Sequence, residues 1–96
     1  MKKKKFNTYI NKILKEFSIP RERLFTKTKE QYIVDARHML YWACIIDGGF
    51  NKVTVVRMMK ENGYDIGHST IIHGMNKMND TEDKYYIKLK EKLCIN

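Results

Sequence analysis

The residues best suited to do chemistry lie in one stretch, Gly67-His68-Ser69-Thr70-Ile71-Ile72-His73-Gly74-Met75-Asn76-Lys77-Met78. The apolar spacing predicts a helix over about His68–Met78. Its first turn carries His68, Ser69 and Thr70, short donors and acceptors at a helix end where unpaired N–H groups and the dipole favour phosphate. Helical spacing puts His73 and Lys77 on one stripe. Ile71, Met75 and Met78 fall on the opposite stripe as core positions, with Ile72 beside them. One side is expected to pack while the other stays polar and basic, as a helix entering a major groove requires. Ser and Thr near a helix start are also ordinary caps, so residue chemistry alone leaves both readings standing.

Other chemistries find little in the chain. His68 and His73 are five apart, whereas a helical zinc pair needs i, i+4 spacing. His38, His68, His73 and Cys44 are metal-binding types without a metal-binding pattern. No P-loop run is present, so no ATP hydrolysis, no other catalysis and no cofactor are expected. Cys44 and Cys94 form no C-x-x-C pair and read as two free thiols in a reducing compartment. Trp42 and the six Met read as core filling.

Ninety-six residues are enough for one domain, 1–96, with one modest core. The formal charge of +8 is unevenly spread: residues 1–30 hold ten Lys/Arg against three Glu. Such an excess favours polyanions, because covering phosphates releases condensed counterions. Nucleic acid and an anionic membrane surface both satisfy it. The MKKKK start is expected to fray, and FNTYINKILKEF after it has no continuous apolar run, so no signal peptide is predicted. No segment approaches the ~20 apolar residues of a membrane span. A cytoplasmic protein without a membrane partner is the expectation.

The elements that must position the stretch are all helical. A first helix over about Lys4–Phe17 has an apolar stripe of Phe6, Tyr9, Ile10, Ile13, Leu14 and Phe17. Ser18-Ile19-Pro20 stops it, and Pro20 opens a helix of a turn or two. Thr26-Lys27-Thr28-Lys29 is a basic loop. A long central helix over about Glu30–Ile46 buries Ile33, Ala36, Leu40, Ala43 and Cys44, with Met39 and Trp42, and ends at Asp47-Gly48-Gly49. The next helix starts near Asn51 or Thr54, faces inward through Val53, Val56 and Met59, and ends at Asn62-Gly63. Beyond the His68 helix, Asn79-Asp80-Thr81 is a break. A closing helix over Glu82–Leu93 then packs Tyr86, Leu89 and Leu93, with Lys84, Lys88, Lys90 and Lys92 as a solvated face. Two short helices around a tight Gly-containing turn read as a helix-turn-helix within a compact all-α bundle.

The stretch GHSTI-IHG-KM resembles the DHSTV-IHA-KI signature of the C-terminal DNA-binding domain of the replication initiator DnaA. The likeness covers about residues 10–93. ILKEFSIPRERLF resembles the helix and short helix that open that domain, and TKTKEQYIVDARHMLYWAC its basic loop and following "R-Q-x-A-M-Y-L-A" helix. The resemblance implies a Trp-repressor-like helix-turn-helix bundle that binds double-stranded DNA, with the His68 helix in the major groove. Residue by residue, it implies base reading by His68 and Ser69, and phosphate or backbone contacts by Thr70, His73 and Lys77. Lys29 falls where the family inserts an arginine into the minor groove. Arg37 and His38 match the Arg-Gln pair that grips phosphate, and Thr54 and Arg57 fall near the start of the first helix of the motif. A lone copy would act as a replication accessory or regulator, from a phage or mobile element, alongside a replication or regulatory protein.

Three departures bear on readout. The family's Asp before the His is Gly67, its Gly-Gly-Arg turn is Tyr64-Asp65-Ile66, and its minor-groove arginine is Lys29, a point charge without a planar fork. Each weakens base recognition more than phosphate binding, so recognition of the standard initiator box is not expected to follow from the resemblance. A protein-interaction module that kept the fold and lost base readout is the alternative. A membrane-surface role for the first helix, with its Lys-rich side, is a weaker one.

Overall fold

Helix α1, Lys2–Phe17, forms because apolar residues recur every three or four positions; Phe6, Tyr9, Ile10, Ile13 and Phe17 are all buried. The computed structural model describes residues 2–95. The basic start expected to fray is helical from Lys2 onward, with Met1 outside the described residues. Lysine is a good helix former, and Phe6, only 2% exposed, anchors the first turns to the core. The helix stops where Ser18 takes a left-handed conformation (φ 53°) and the Ile19 N–H donates back to the Leu14 carbonyl at 3.2 Å.

Pro20 stands in extended conformation as the boundary of α2, Arg21–Leu24, a single turn that buries Leu24. The loop to Glu30 follows. Helix α3, Gln31–Trp42, then runs through the middle of the bundle, and every residue from Ala36 to Cys44 is buried. Its last stretch, Ala43–Asp47, widens into a π-helical turn in which the Gly48 N–H reaches the Ala43 carbonyl at 2.9 Å. Gly49, at φ 72°, completes the reversal.

Helix α4 spans Lys52–Glu61, and Asn51 caps it: its side-chain oxygen accepts the Thr54 N–H at 2.8 Å. The inward face differs from the expected one. Thr54, Val55, Met58 and Met59 are buried, whereas Val53 is 58% exposed and Val56 is half-buried. Apolar residues stand on every side of this helix, so periodicity did not fix its inner face. Gly63 ends it at φ 87°, with the Tyr64 N–H on the Met59 carbonyl and the Gly63 N–H on the Lys60 carbonyl, both at 2.9 Å. This paired C-cap needs the left-handed region that glycine enters freely.

Helix α5 is His68–Asn79 and α6 is Lys84–Leu93. Asp83 caps α6, accepting the Tyr85 and Tyr86 N–H groups, so the helix starts two residues later than expected. Leu89 and Leu93 are buried. Lys84, Lys88 and Lys92 are exposed, but Lys90 is not part of a solvated face. Its ammonium donates to the Met78 carbonyl (3.0 Å) and the Asn79 carbonyl (3.4 Å) and lies 5.4 Å from the Trp42 ring centre. A cation at the carbonyl end of α5 complements the helix dipole. Among the described residues one hydrophobic cluster takes side chains from all six helices. The architecture is a small all-α bundle in which α3 and α5 make the most extensive helix pair.

Candidate nucleic-acid interface

Helix α5 is held by one side only. Ile71, Gly74 and Met78 are buried, and Ile72 and Met75 are half-buried. The closest approach is at Gly74, where a Cβ would stand 2.5 Å from His38 Cδ2 and 2.9 Å from Tyr41 Cδ2. The absence of a side chain there lets α5 lie directly on two rings of α3. On its other side His68, Ser69, Thr70, His73, Asn76 and Lys77 are exposed. Gly67, extended at φ −89° and ψ 169°, begins the helix without a side-chain cap.

Between this outer side and the start of α4 runs a shallow groove lined by Lys52, His68, Ser69, Ile72, His73 and Asn76. Arg57 is exposed on α4. The polar lining combines cationic and amide donors, which suits oxygen anions and base edges. Lys52 and Asn76 were not singled out from the sequence. The signal for Asn76 was available, since 68, 72 and 76 share a helical stripe; Lys52 joins the groove only through tertiary packing.

The basic loop is exposed at Lys27 and Lys29. At its margins Arg23 pairs with Glu30, and the Thr28 hydroxyl accepts the Glu30 N–H at 3.2 Å. Beneath it lies Arg37. One guanidinium nitrogen donates to the Leu24 carbonyl (3.1 Å) and the Thr26 carbonyl (3.0 Å), and another to the Thr28 carbonyl (3.3 Å). The guanidinium carbon sits 4.6 Å from the centre of the Tyr64 ring, a cation–π distance.

Three expected contact residues therefore stand elsewhere than the resemblance implied. Arg37 is 4% exposed, His38 8% and Thr54 6%. Arg37 and His38 lie in the wholly buried part of α3, and Thr54 is in the first turn of α4, its N–H taken by Asn51. Lys29, Arg57, His68, Ser69, Thr70, His73 and Lys77 all stand at the surface.

His38 is tightly enclosed. Its Nδ1 is buried without a hydrogen-bond partner among the described residues, and its ring meets that of His73 edge-on at 6.1 Å. Burial, chiefly, lowers its pKa; Lys77, His73 and Arg37 push the same way and Asp35 opposes them. The unfolded chain therefore takes up a proton at higher pH than the fold does. Stability is complete above the ordinary histidine value of about 6.5 and is lost as pH falls from there towards the lower folded value. His38→Leu should remove this histidine component. Its melting temperature should fall less than wild type between neutral pH and pH ~5, read by circular dichroism. Parallel pH profiles for the two proteins would refute the assignment.

The burial of Cys44 pushes its thiol well above the usual range, and Cys94, also free, is exposed. Among the described residues no three His, Cys, Asp or Glu gather to hold a metal ion, and no helix is long and apolar enough to cross a membrane.

Fold and surface together define a small all-α protein whose fifth helix presents a polar, partly basic side to solvent, and whose lysine-bearing loop is exposed at Lys27 and Lys29. No protein-family model, curated protein or solved structure matches the chain.

Proposed function

We propose that this protein binds double-stranded DNA through α5, laid in the major groove, with the Lys27–Lys29 loop against the neighbouring backbone or minor groove. The observation that carries this reading is the division of α5. Ile71, Gly74 and Met78 are committed to the core, while His68, Ser69, His73, Asn76 and Lys77 stay in solvent beside Lys52. The resemblance to the DnaA C-terminal domain falls on the same helix and supports the same use of it. In this reading Lys29, Arg57, Thr70, His73 and Lys77 meet backbone, His68 and Ser69 meet base edges, and the protein serves a replication or regulatory partner without ATPase activity. Gly67 in place of the family's Asp removes a base acceptor, so the preferred site differs from the initiator box.

Selection of bound duplexes from a random library tests the proposal. A defined motif should be enriched, and affinity should fall with salt at a logarithmic slope of about −3 or steeper, near −0.9 per phosphate neutralised. A flat salt response with no enrichment would refute it. The altered turn Tyr64-Asp65-Ile66-Gly67 motivates instead a protein partner that docks on the same helix pair. That reading predicts a tight protein complex broken by Val53→Asp and indifferent to DNA.

A further inference from the structure

The geometry points to Arg37 as a positioning residue that locks the Lys27–Lys29 loop to the turn ahead of α5, so that loop and helix meet one duplex while Arg37 itself touches no DNA. This rests on the duplex-binding reading above. Arg37 is 4% exposed, and its guanidinium faces two segments at once. On one side it holds the carbonyls of Leu24, which ends α2, and of Thr26 and Thr28 in the loop that carries Lys27 and Lys29. On the other it lies over the ring of Tyr64. Tyr64 is itself fixed by its N–H on the Met59 carbonyl, and it stands three residues before Gly67, where α5 begins. One planar group thus sets both segments.

The chemistry requires arginine. Three carbonyls are held by two nitrogens of one guanidinium fork, and its flat face can lie over a ring; an ammonium has neither the planar fork nor the flat face. No acidic side chain pairs with Arg37 among the described residues. Carbonyl dipoles and a ring face hold the cation. The buried charge therefore adds to Lys27 and Lys29 in drawing phosphate to that edge. The expected phosphate-gripping role of this side chain is replaced by an indirect one.

The test combines duplex affinity, its salt slope and amide hydrogen exchange in Arg37→Lys, Tyr64→Leu, Lys29→Ala and the Arg37→Lys/Lys29→Ala double variant. The probe is a mixed-sequence duplex. Arg37→Lys should raise exchange in residues 25–30 and 62–67 together, weaken binding about tenfold and flatten the salt slope by about one unit. Lys29→Ala should cost clearly less in the Arg37→Lys background than in wild type, because the loop is already released. Tyr64→Leu should show the same pattern more weakly, and it carries the test alone if circular dichroism shows Arg37→Lys unfolded. Near wild-type affinity in Arg37→Lys, unchanged exchange in the two segments, or multiplying losses with Lys29→Ala would each overturn the inference. If wild type binds no duplex at any salt, the duplex reading falls and takes this inference with it. Wild-type binding with multiplying losses overturns the inference alone.

Discussion

Replacing His73 and Lys77 together by Glu should reduce duplex affinity about a hundredfold, roughly 2.7 kcal/mol, while moving the melting temperature by only a few degrees. Both side chains are exposed on the outer side of α5, and neither makes a hydrogen bond or ion pair among the described residues. Their replacement leaves Ile71, Gly74 and Met78, the contacts that dock the helix, untouched. Surface substitutions of this kind change stability by about 0.5 kcal/mol, with a further few tenths for placing an anion in the last turn of a helix. The electrostatic change is far larger. Two carboxylates are turned towards phosphates spaced about 1.7 Å apart along the duplex axis, one of them where an ammonium stood. Affinity is read by fluorescence anisotropy at physiological salt and stability by circular dichroism. Lys15→Glu with Lys88→Glu, exposed on α1 and α6, serves as the control of equal sign. A loss below about threefold in the α5 variant, or an equal loss in the control, would take α5 out of the interface, since screening over ~8 Å makes a local effect local.

The parts of this surface that could be read from sequence are those governed by local periodicity. The stripe of α1 and the core positions Ile33, Ala36, Leu40 and Cys44 of α3 follow from spacing, because each of these helices has enough turns for its period to show. The α5 residues His68, Ser69, Thr70, His73 and Lys77 stand exposed for the same reason. Helix α4 resisted. Val53, Val55, Val56, Met58 and Met59 surround it, and which of them turn inward is decided by what α4 meets in space. Arg37 and His38 resisted for a different reason. A polar side chain is taken for a surface one by default, yet α3 is enclosed on every side from Ala36 to Cys44, so its polar residues must be internal too. The donors of Arg37 then need carbonyls, and the nearest are in the basic loop. The groove beside Lys52 belongs to neither helix alone, and no window of sequence contains it.

The same close packing makes Gly74 the position where one substitution should do most damage. Gly74→Val is expected to destabilise the fold by about 2–3 kcal/mol, lowering the melting temperature by roughly 10–20 °C for a domain of this size. A first carbon at this position already falls 2.5 Å from His38 Cδ2 and 2.9 Å from Tyr41 Cδ2. Both rings are buried, Tyr41 at 1% exposure, so neither can swing into solvent. Valine adds two methyl groups at the same spot, and its stiff χ1 leaves few ways to turn them aside. The gain in helix propensity over glycine is only a few tenths of a kcal/mol. Either α5 moves away from α3 or the rings leave their places. Gly74→Ala is the graded comparison: it carries the first clash alone and recovers about 1 kcal/mol of propensity, so it should fall between wild type and valine. Thermal melting of the three proteins checks the order. His38→Ala in the Gly74→Val background should restore part of the loss, because it removes the ring that the new side chain strikes first. A valine variant as stable as wild type would mean that α5 does not rest on α3 at Gly74, and the outward face built on that contact would have to be redrawn.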